Sequence, residues 1–194
     1  MRPLGALATD RRGVTAIEFA LLAPVFFMFL IGLLDMGQSI YGQVVLDGAV
    51  AKAARSSSLE TANTAAADAE VATLVGKVLP GAQIASKRES YYDFGDVGRP
   101  EKWNDANNDG TCSNGEVYVD ENGNGQWDSD IGVSGNGGAN DVVVYTVTAT
   151  YDPLFKVPFI PQLWSARKLT ASTITKNQPF ANQDGYGSNS GTCP

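Results

Sequence analysis

The stretch GVTAIEFALLAPVFFMFLIGLL, residues 13–34, decides how the rest of the chain is arranged. One charge, Glu18, interrupts its apolar run, and the nearest charges outside it are Arg12 and Asp35. Val14 to Leu34 is 21 residues, about 31 Å of helix, which matches the roughly 30 Å hydrocarbon core of a bilayer. Arg2, Arg11 and Arg12 precede the span against Asp10 alone, whereas just beyond it Lys52 stands against Asp35 and Asp47. Basic residues favour the cytoplasmic side, so the sequence predicts a single crossing of a membrane. The N-terminus is expected inside, and everything from about Asp35 onward in the periplasm. After Leu34 the chain reads Asp-Met-Gly-Gln-Ser-Ile, without the small-x-small site of a cleaved secretory signal. An ordinary signal anchor also explains the span. On that reading Glu18 sits in the cytoplasmic headgroup layer; nearer the bilayer core an ionised group costs several kcal/mol unless it is paired or reaches the interface, and a chain that keeps one there has a use for it.

Gly13 followed by Val14, with Glu18 and Phe19 at the fifth and sixth places counted from Val14, resembles a type IV prepilin signal. Leu-Leu-Ala-Pro at 21–24, the Gly, Gln and Tyr residues that follow the span, and Ala-Ala-Arg at 53–55 are similar to the TadE/TadG-type module of tight-adherence (Tad) pilus proteins. Leu169 to Gln183, containing Asn177-Gln178-Pro179-Phe180, also resembles the end of TadE-like chains. The resemblance implies that a prepilin peptidase cuts after Gly13. It implies that the Glu18 carboxylate pairs with the freed amino group of a neighbouring subunit's first residue, and that the partners are other pilins and inner-membrane assembly proteins. The major pilin of such systems is much shorter than 194 residues, so the role implied is a minor pilin or pseudopilin that could reach an extracellular, adhesive fibre. The TadE, TadF and TadG roles are not separated. The expected segments are a leader at 1–13, an N-terminal helix at 14–58 and an exported domain at 59–194.

Composition narrows the function. The chain carries net charge −7, and residues 14–194 hold 11 basic against 20 acidic residues. With no basic cluster, nucleic acid is excluded as a partner class. Histidine is absent, which removes the commonest general base and zinc ligand. No nucleophile motif points to an enzyme or to a small-molecule substrate.

Beyond the membrane, Met36, Ile40, Val44, Leu46 and Val50 recur at mostly helical intervals with Gly37, Gly42 and Gly48 between them. Either small residues admit a neighbouring helix, or one amphipathic helix lies on its own domain. A second helix is predicted from Thr64 to Val78, stopped by Pro80-Gly81, with Leu59–Asn63 as the loop before it. Strands are predicted at Gln83–Tyr92, at Asp141–Tyr151, where Val, Tyr and Thr dominate, and at Leu169–Thr175. The prolines 153, 158 and 161 make Asp152–Trp164 an extended connection, with Phe155, Phe159 and Trp164 covering a core edge. The tail from Ala181 to Pro194 is expected to be flexible. The fold class is therefore α+β and pilin-like: a long transmembrane helix packed on a small antiparallel sheet, with an acidic, Gly-rich loop inserted at 93–141.

That insertion holds 11 acidic residues, ten Gly and only two bases in 49 residues. Asp105, Asn107, Asp109, Gly110 and Glu116 fit Asp-x-Asn-x-Asp-Gly-x5-Glu, the twelve-residue calcium loop, and Thr111 joins the expected ligands. Fifteen residues on, Asp120, Asn122, Asn124, Gly125 and Asp128 repeat positions one, three, five, six and nine. Position twelve there is Ile131, so closure falls to Asp130 or to a residue elsewhere. Arg99-Pro100 before the first loop and the extended Val117-Tyr118-Val119 after it do not fit helix-flanked EF-hands. The expected cofactor is a structural Ca²⁺, and the competing reading is a set of Asx-turns with no ion. Cys112 and Cys193 most simply pair in an oxidising compartment, although free thiols or intermolecular links satisfy the sequence too. Three functions compete: a minor pilin or pseudopilin, a membrane-anchored calcium-binding or adhesive module outside any filament, and a hydrolase using the acidic loop.

Overall fold

The computed structural model describes residues 13–60, 63–154 and 165–194. The leader before Gly13 and the aromatic connection through Phe155, Phe159 and Trp164 lie outside the described residues.

Helix α1 runs unbroken from Val14 to Ser57, 44 residues, and so joins the apolar span to the folded remainder of the chain without a hinge. Pro24 sits inside it, where its missing N–H removes one rung of the helix ladder. The two halves face different surroundings. The apolar window is wholly unburied within the protein, as a bilayer-facing segment requires. Farther along, Gly42, Leu46, Ala49, Val50, Ala53 and Ala54 recur at three- and four-residue steps and are buried. This is the amphipathic helix on its own domain. Met36, Ile40 and Val44, grouped with Leu46 and Val50 by their spacing, instead remain 62, 57 and 62 % exposed on the opposite face. Gly42 is the point of closest approach: a Cβ there would stand 3.0 and 3.1 Å from the Leu79 methyls and 3.2 Å from a Leu169 methyl.

Helix α2, Thr64–Gly76, starts where the Asn63 side chain accepts the Ala66 N–H, and packs Ala67, Val71 and Val75 against α1. The main sheet is antiparallel in the order β3 (Val133–Ser134), β1 (Gln83–Tyr91), β4 (Val142–Tyr151), β5 (Arg167–Lys176). In β4 the alternate residues Tyr145, Val147, Ala149 and Tyr151 point to the helices and close one core with Leu46, Val50, Val71, Val75 and Leu79. Arg88 of β1 lies opposite Tyr145. Its guanidinium clasps Asp68 of α2 through two hydrogen bonds of 2.9 and 2.7 Å, and its Cζ sits 4.0 Å from the Tyr145 ring centre. The Tyr145 and Ser86 hydroxyls donate to the same Asp68, at 2.5 and 2.9 Å. Burial alone raises the Asp68 pKa, but these hydrogen bonds from Arg88, Tyr145 and Ser86 outweigh it and hold the carboxyl below its ordinary value. Asp35 on α1 pairs with Arg167 at the start of β5, so the sheet is tied to the helix just past the apolar span.

Residues 93–141 contribute β3 to the main sheet and β2, Val117–Asp120, to a second one. The partner of β2 is β6, Asn189–Thr192, in antiparallel register. The tail expected to be flexible is therefore an ordered strand. Asn-Ser-Gly-Thr has no strand signal of its own, and its order comes from β2 and from the Cys193 linkage. Gly191 is required there, because a Cβ would fall 2.4 Å from the Tyr118 ring.

Candidate functional site

The two acidic loops correspond hydrogen bond by hydrogen bond. At position one, Asp105 and Asp120 each accept through one oxygen from the residue-five N–H, Asp109 and Asn124, both at 3.1 Å. Through the other oxygen they accept from the residue-six glycine N–H, at 3.0 Å from Gly110 and 2.9 Å from Gly125. Those glycines have φ of +75° and +79°, a turn that L side chains adopt with strain. At position three, Asn107 and Asn122 accept the same residue-five N–H groups at 2.9 and 3.1 Å. At position five, Asp109 and Asn124 accept from the Thr111 and Gln126 N–H at 2.8 and 2.7 Å. The Asp109 carboxyl is pushed down to about 2, first by the hydrogen bond from the Thr111 hydroxyl and then by the Thr111 N–H.

The closing carboxylates correspond as well, and one of them is not where sequence spacing puts it. In the first loop Glu116 Oε1 accepts from the N–H of Ala106 at 2.8 Å and of Asn107 at 3.4 Å, while Oε2 accepts from Ser113 N–H at 3.2 Å. These donors are positions two, three and nine. In the second loop the same three positions, Glu121, Asn122 and Asp128, donate to Glu101, two to Oε1 at 2.7 and 3.2 Å and one to Oε2 at 3.1 Å. Glu101 lies nineteen residues before the loop begins and is 0 % exposed. Of the two closings the sequence leaves open, Asp130 is engaged otherwise, accepting from the Tyr91 hydroxyl at 3.0 Å and the Gly132 N–H at 3.1 Å, and the group from elsewhere is Glu101. The Trp103–Tyr118 bridge sets the 101–103 segment beside the strand that enters the second loop, and the Trp127 indole N–H donates to the Glu101 carbonyl at 3.2 Å.

Electrostatics separates these carboxylates from the rest of the segment. Arg99 binds Asp96 at 2.9 Å and Glu121 at 2.5 Å, and Lys102 reaches Glu121 at 3.1 Å. Burial alone raises the Asp96 and Glu121 pKa values, yet both carboxyls are held low, Asp96 by its bonds with Tyr186 and Arg99 and Glu121 by Arg99 and Lys102. Both bases of the segment are thus committed to Asp96 and Glu121. Among the described residues, no Lys or Arg pairs with Glu101, Asp105, Asp109, Glu116, Asp120 or Asp128. Their oxygens are satisfied by backbone N–H groups, side-chain amides and, at Asp109, the Thr111 and Ser113 hydroxyls, and no three carboxylates among the described residues gather around a single point. Asp128 Oδ2, for instance, is held by Asn122 and Asn124 Nδ2 at 2.8 and 2.5 Å. The donor set is all oxygen, the set that Ca²⁺ takes.

The C-terminal strand closes the assembly. Cys112, in the first loop, is disulfide-bonded to Cys193, with Cα atoms 5.4 Å apart. Beside the bond, Asn114 and Gly115 N–H donate to the Pro194 and Cys193 carbonyls at 3.0 and 3.2 Å, and Cys193 N–H donates to the Glu116 carbonyl at 2.8 Å. Glu116 is therefore fixed from its backbone as well as its side chain.

At the other end of the molecule, Gly13 is the N-cap of α1 and its carbonyl accepts the Ile17 N–H at 3.1 Å. Val14, Glu18 and Phe19 lie on the exposed first turns. Residues 13–55 match the family described as TadE-like protein. Over that segment the chain is similar to TadE-like proteins. The matched segment covers the apolar span and most of the part of α1 that packs on the sheet and α2, which associates the chain with the Tad pilus and with a membrane. No curated protein and no solved structure matches the chain. Just after β5, Asn177 Nδ2 donates to the Asn136 and Gly138 carbonyls at 2.7 and 2.8 Å, and Gln178 N–H donates to the Ser58 carbonyl at 3.0 Å. Those residues staple the end of α1 to the sheet.

Proposed function

We propose that this TadE-like protein is a non-enzymatic minor pilin or assembly pseudopilin, cut after Gly13 by a prepilin peptidase and placed in the inner membrane with its domain in the periplasm. The continuity of α1 carries the reading. One helix supplies both the apolar span and the spine of the exported core, so a pull on either is transmitted to the other without a flexible joint. Glu18, near the start of that helix, is suited to pair with the freed amino group of a neighbouring subunit. The test is the intact mass of membrane-extracted protein from cells with and without the peptidase. A chain beginning at Val14 only when the peptidase is present supports the reading. Retention of Met1 to Gly13 in both cells leaves the alternative, an anchored module that never enters a filament.

The tandem loops are assigned to structural Ca²⁺, one ion each, with Glu116 closing the first and Glu101 the second. Six carboxylates without basic partners repel one another in the absence of a cation, and an ion removes that penalty while ordering the loops. Asp105, Asn107, Asp109 and Thr111 complete the first donor set, and Asp120, Asn122, Asn124 and Asp128 the second. A ligand that binds only the folded form stabilises by about 2.7 kcal/mol at a hundredfold excess over its Kd. The full-length protein in detergent should therefore melt higher in millimolar Ca²⁺ than in chelator, and Mg²⁺ should substitute poorly. Identical melting in Ca²⁺ and chelator leaves the Asx-turn reading.

A further inference from the structure

A cleft of about 160 Å³ opens where the end of β1, the second acidic loop and the C-terminal segment meet. It is too small for the 300 Å³ or more that drug-sized ligands occupy, and suits one side-chain-sized group. Tyr92 and Tyr186 form its aromatic side, with ring centres 4.6 Å apart and exposures of 40 and 42 %. Ile131 and Val133 add apolar floor.

The polar groups of the wall accept hydrogen bonds and have few left to give. Ser90 donates to the Val133 carbonyl, Tyr91 to Asp130, Tyr186 to Asp96 and Asn122 to Asp128. What remains is carboxylate. Asp141 and Asp184 line the cleft; Asp141 accepts from the Gly138 N–H at 2.6 Å and the Gln183 amide at 2.9 Å, both neutral donors, and no Lys or Arg among the described residues pairs with either carboxylate. Glu121, only 6 % exposed, lines it too, and its Oε1 makes no aligned hydrogen bond. Lys102 Nζ stands 3.1 Å from that oxygen, and Arg99 holds the other. Glu121 is thus largely neutralised and the surplus negative charge belongs to Asp141 and Asp184. A ligand that only donates, carries positive charge and has an apolar stem or flat face to lie on tyrosine matches every wall.

We propose that this cleft binds a basic side chain, lysine or arginine, presented by a partner protein. The inference stands on the cleft and does not depend on processing at Gly13; because Asn122 of the second acidic loop is on its wall, the cleft is also probed in chelator, where the same shifts are expected. It is tested on the full-length, isotope-labelled protein in detergent micelles with saturating Ca²⁺, so that the acidic loops do not compete for the probe. N-acetyl-lysine methylamide and N-acetyl-arginine methylamide are titrated to about 50 mM, with N-acetyl-norleucine methylamide as the uncharged control. Saturable shifts of the Tyr92, Asp184, Gly185 and Tyr186 amides with either basic probe, and none with norleucine, are expected. Asp184→Asn, a change at an exposed residue, should weaken the basic probe at least threefold while the rest of the spectrum stays in place. No saturable shift at these amides, equal shifts with norleucine, or an unchanged affinity in Asp184→Asn overturns the proposal. So does tenfold tighter binding of spermidine, which points to a free polyamine instead of a protein side chain.

Discussion

Replacing Glu101 with glutamine tests whether a carboxylate from outside the second loop holds that loop together. Glu101 is 0 % exposed and its two oxygens satisfy three backbone N–H groups, those of Glu121, Asn122 and Asp128. Glutamine preserves the volume, and its single carbonyl oxygen can keep the two bonds made by Oε1. Its amide NH₂ then faces the Asp128 N–H, donor against donor. A buried donor left unsatisfied costs about 1–3 kcal/mol, so the variant should lose about 2 kcal/mol, or roughly 4–8 °C in melting temperature for a chain of this size. Glu101→Ala strands all three donors and should cost at least about 3 kcal/mol. The assay is thermal melting of the full-length protein in detergent, in chelator and in Ca²⁺, with amide exchange read at positions 121, 122 and 128. Exchange should accelerate at those three amides in Glu101→Gln, and part of the Ca²⁺-induced rise should vanish. Asp130→Asn, which changes the other closing group that the sequence leaves open, should leave those amides protected. Unchanged protection in Glu101→Gln, or a larger loss in Asp130→Asn, refutes the assignment.

Removing the disulfide with Cys112→Ser and Cys193→Ser opens a loop whose ends are 81 residues apart in sequence, for which loop-closure entropy gives a ceiling of about 4.5 kcal/mol. A loss of about 2–4 kcal/mol is expected, with faster exchange in 117–120 and little change in the main sheet. Asp68→Asn leaves Arg88 without its charged partner, and a loss of about 2–3 kcal/mol is expected in urea titrations. Because the Asp68 pKa is lowered in the fold, its contribution is complete at pH values above the ordinary 3.8 and is lost as pH falls through the depressed value. Stability measured against pH should therefore fall less steeply below about pH 4 in Asp68→Asn than in the parent. Gly42→Leu should force α1 away from Leu79 and Leu169, overpacking that costs about 1–3 kcal/mol by melting. Glu18→Gln should insert into membranes at the parent level but assemble poorly, as read by crosslinking to other pilus subunits.

What could be read from the sequence was whatever repeats locally. The apolar run and the helical spacing of Leu46, Val50 and their neighbours located α1, and the Val, Tyr and Thr residues of Asp141–Tyr151 located β4. The loops' first, third, fifth and sixth positions were legible because Asp, Asn and Gly act there on backbone groups within a few residues. Two features were not. Strand β6 has no β-branched alternation and depends on β2, more than sixty residues away in the chain. Glu101 is invisible to any contiguous twelve-residue pattern.

The two unread features are linked through β2, which ends the first loop and begins the second. Its four residues pair with β6 on one side, while Trp103 bridges to Tyr118, Asn104 N–H donates to the Val117 carbonyl and Val119 N–H donates to the Lys102 carbonyl. That pairing carries Glu101 to the second loop, just as β6 carries Cys193 to the first. A contiguous loop needs only its own chain to bring a closing glutamate round. The second loop lacks one at Ile131 and obtains it from the neighbouring segment on β2, so its closure depends on the small sheet being formed. Loosening β6 should therefore weaken the second loop as well as the first. Exchange at positions 121, 122 and 128 in the Cys193→Ser protein measures that dependence directly: acceleration there follows from closure through β2, whereas acceleration confined to residues 105–116 means that each loop is held independently.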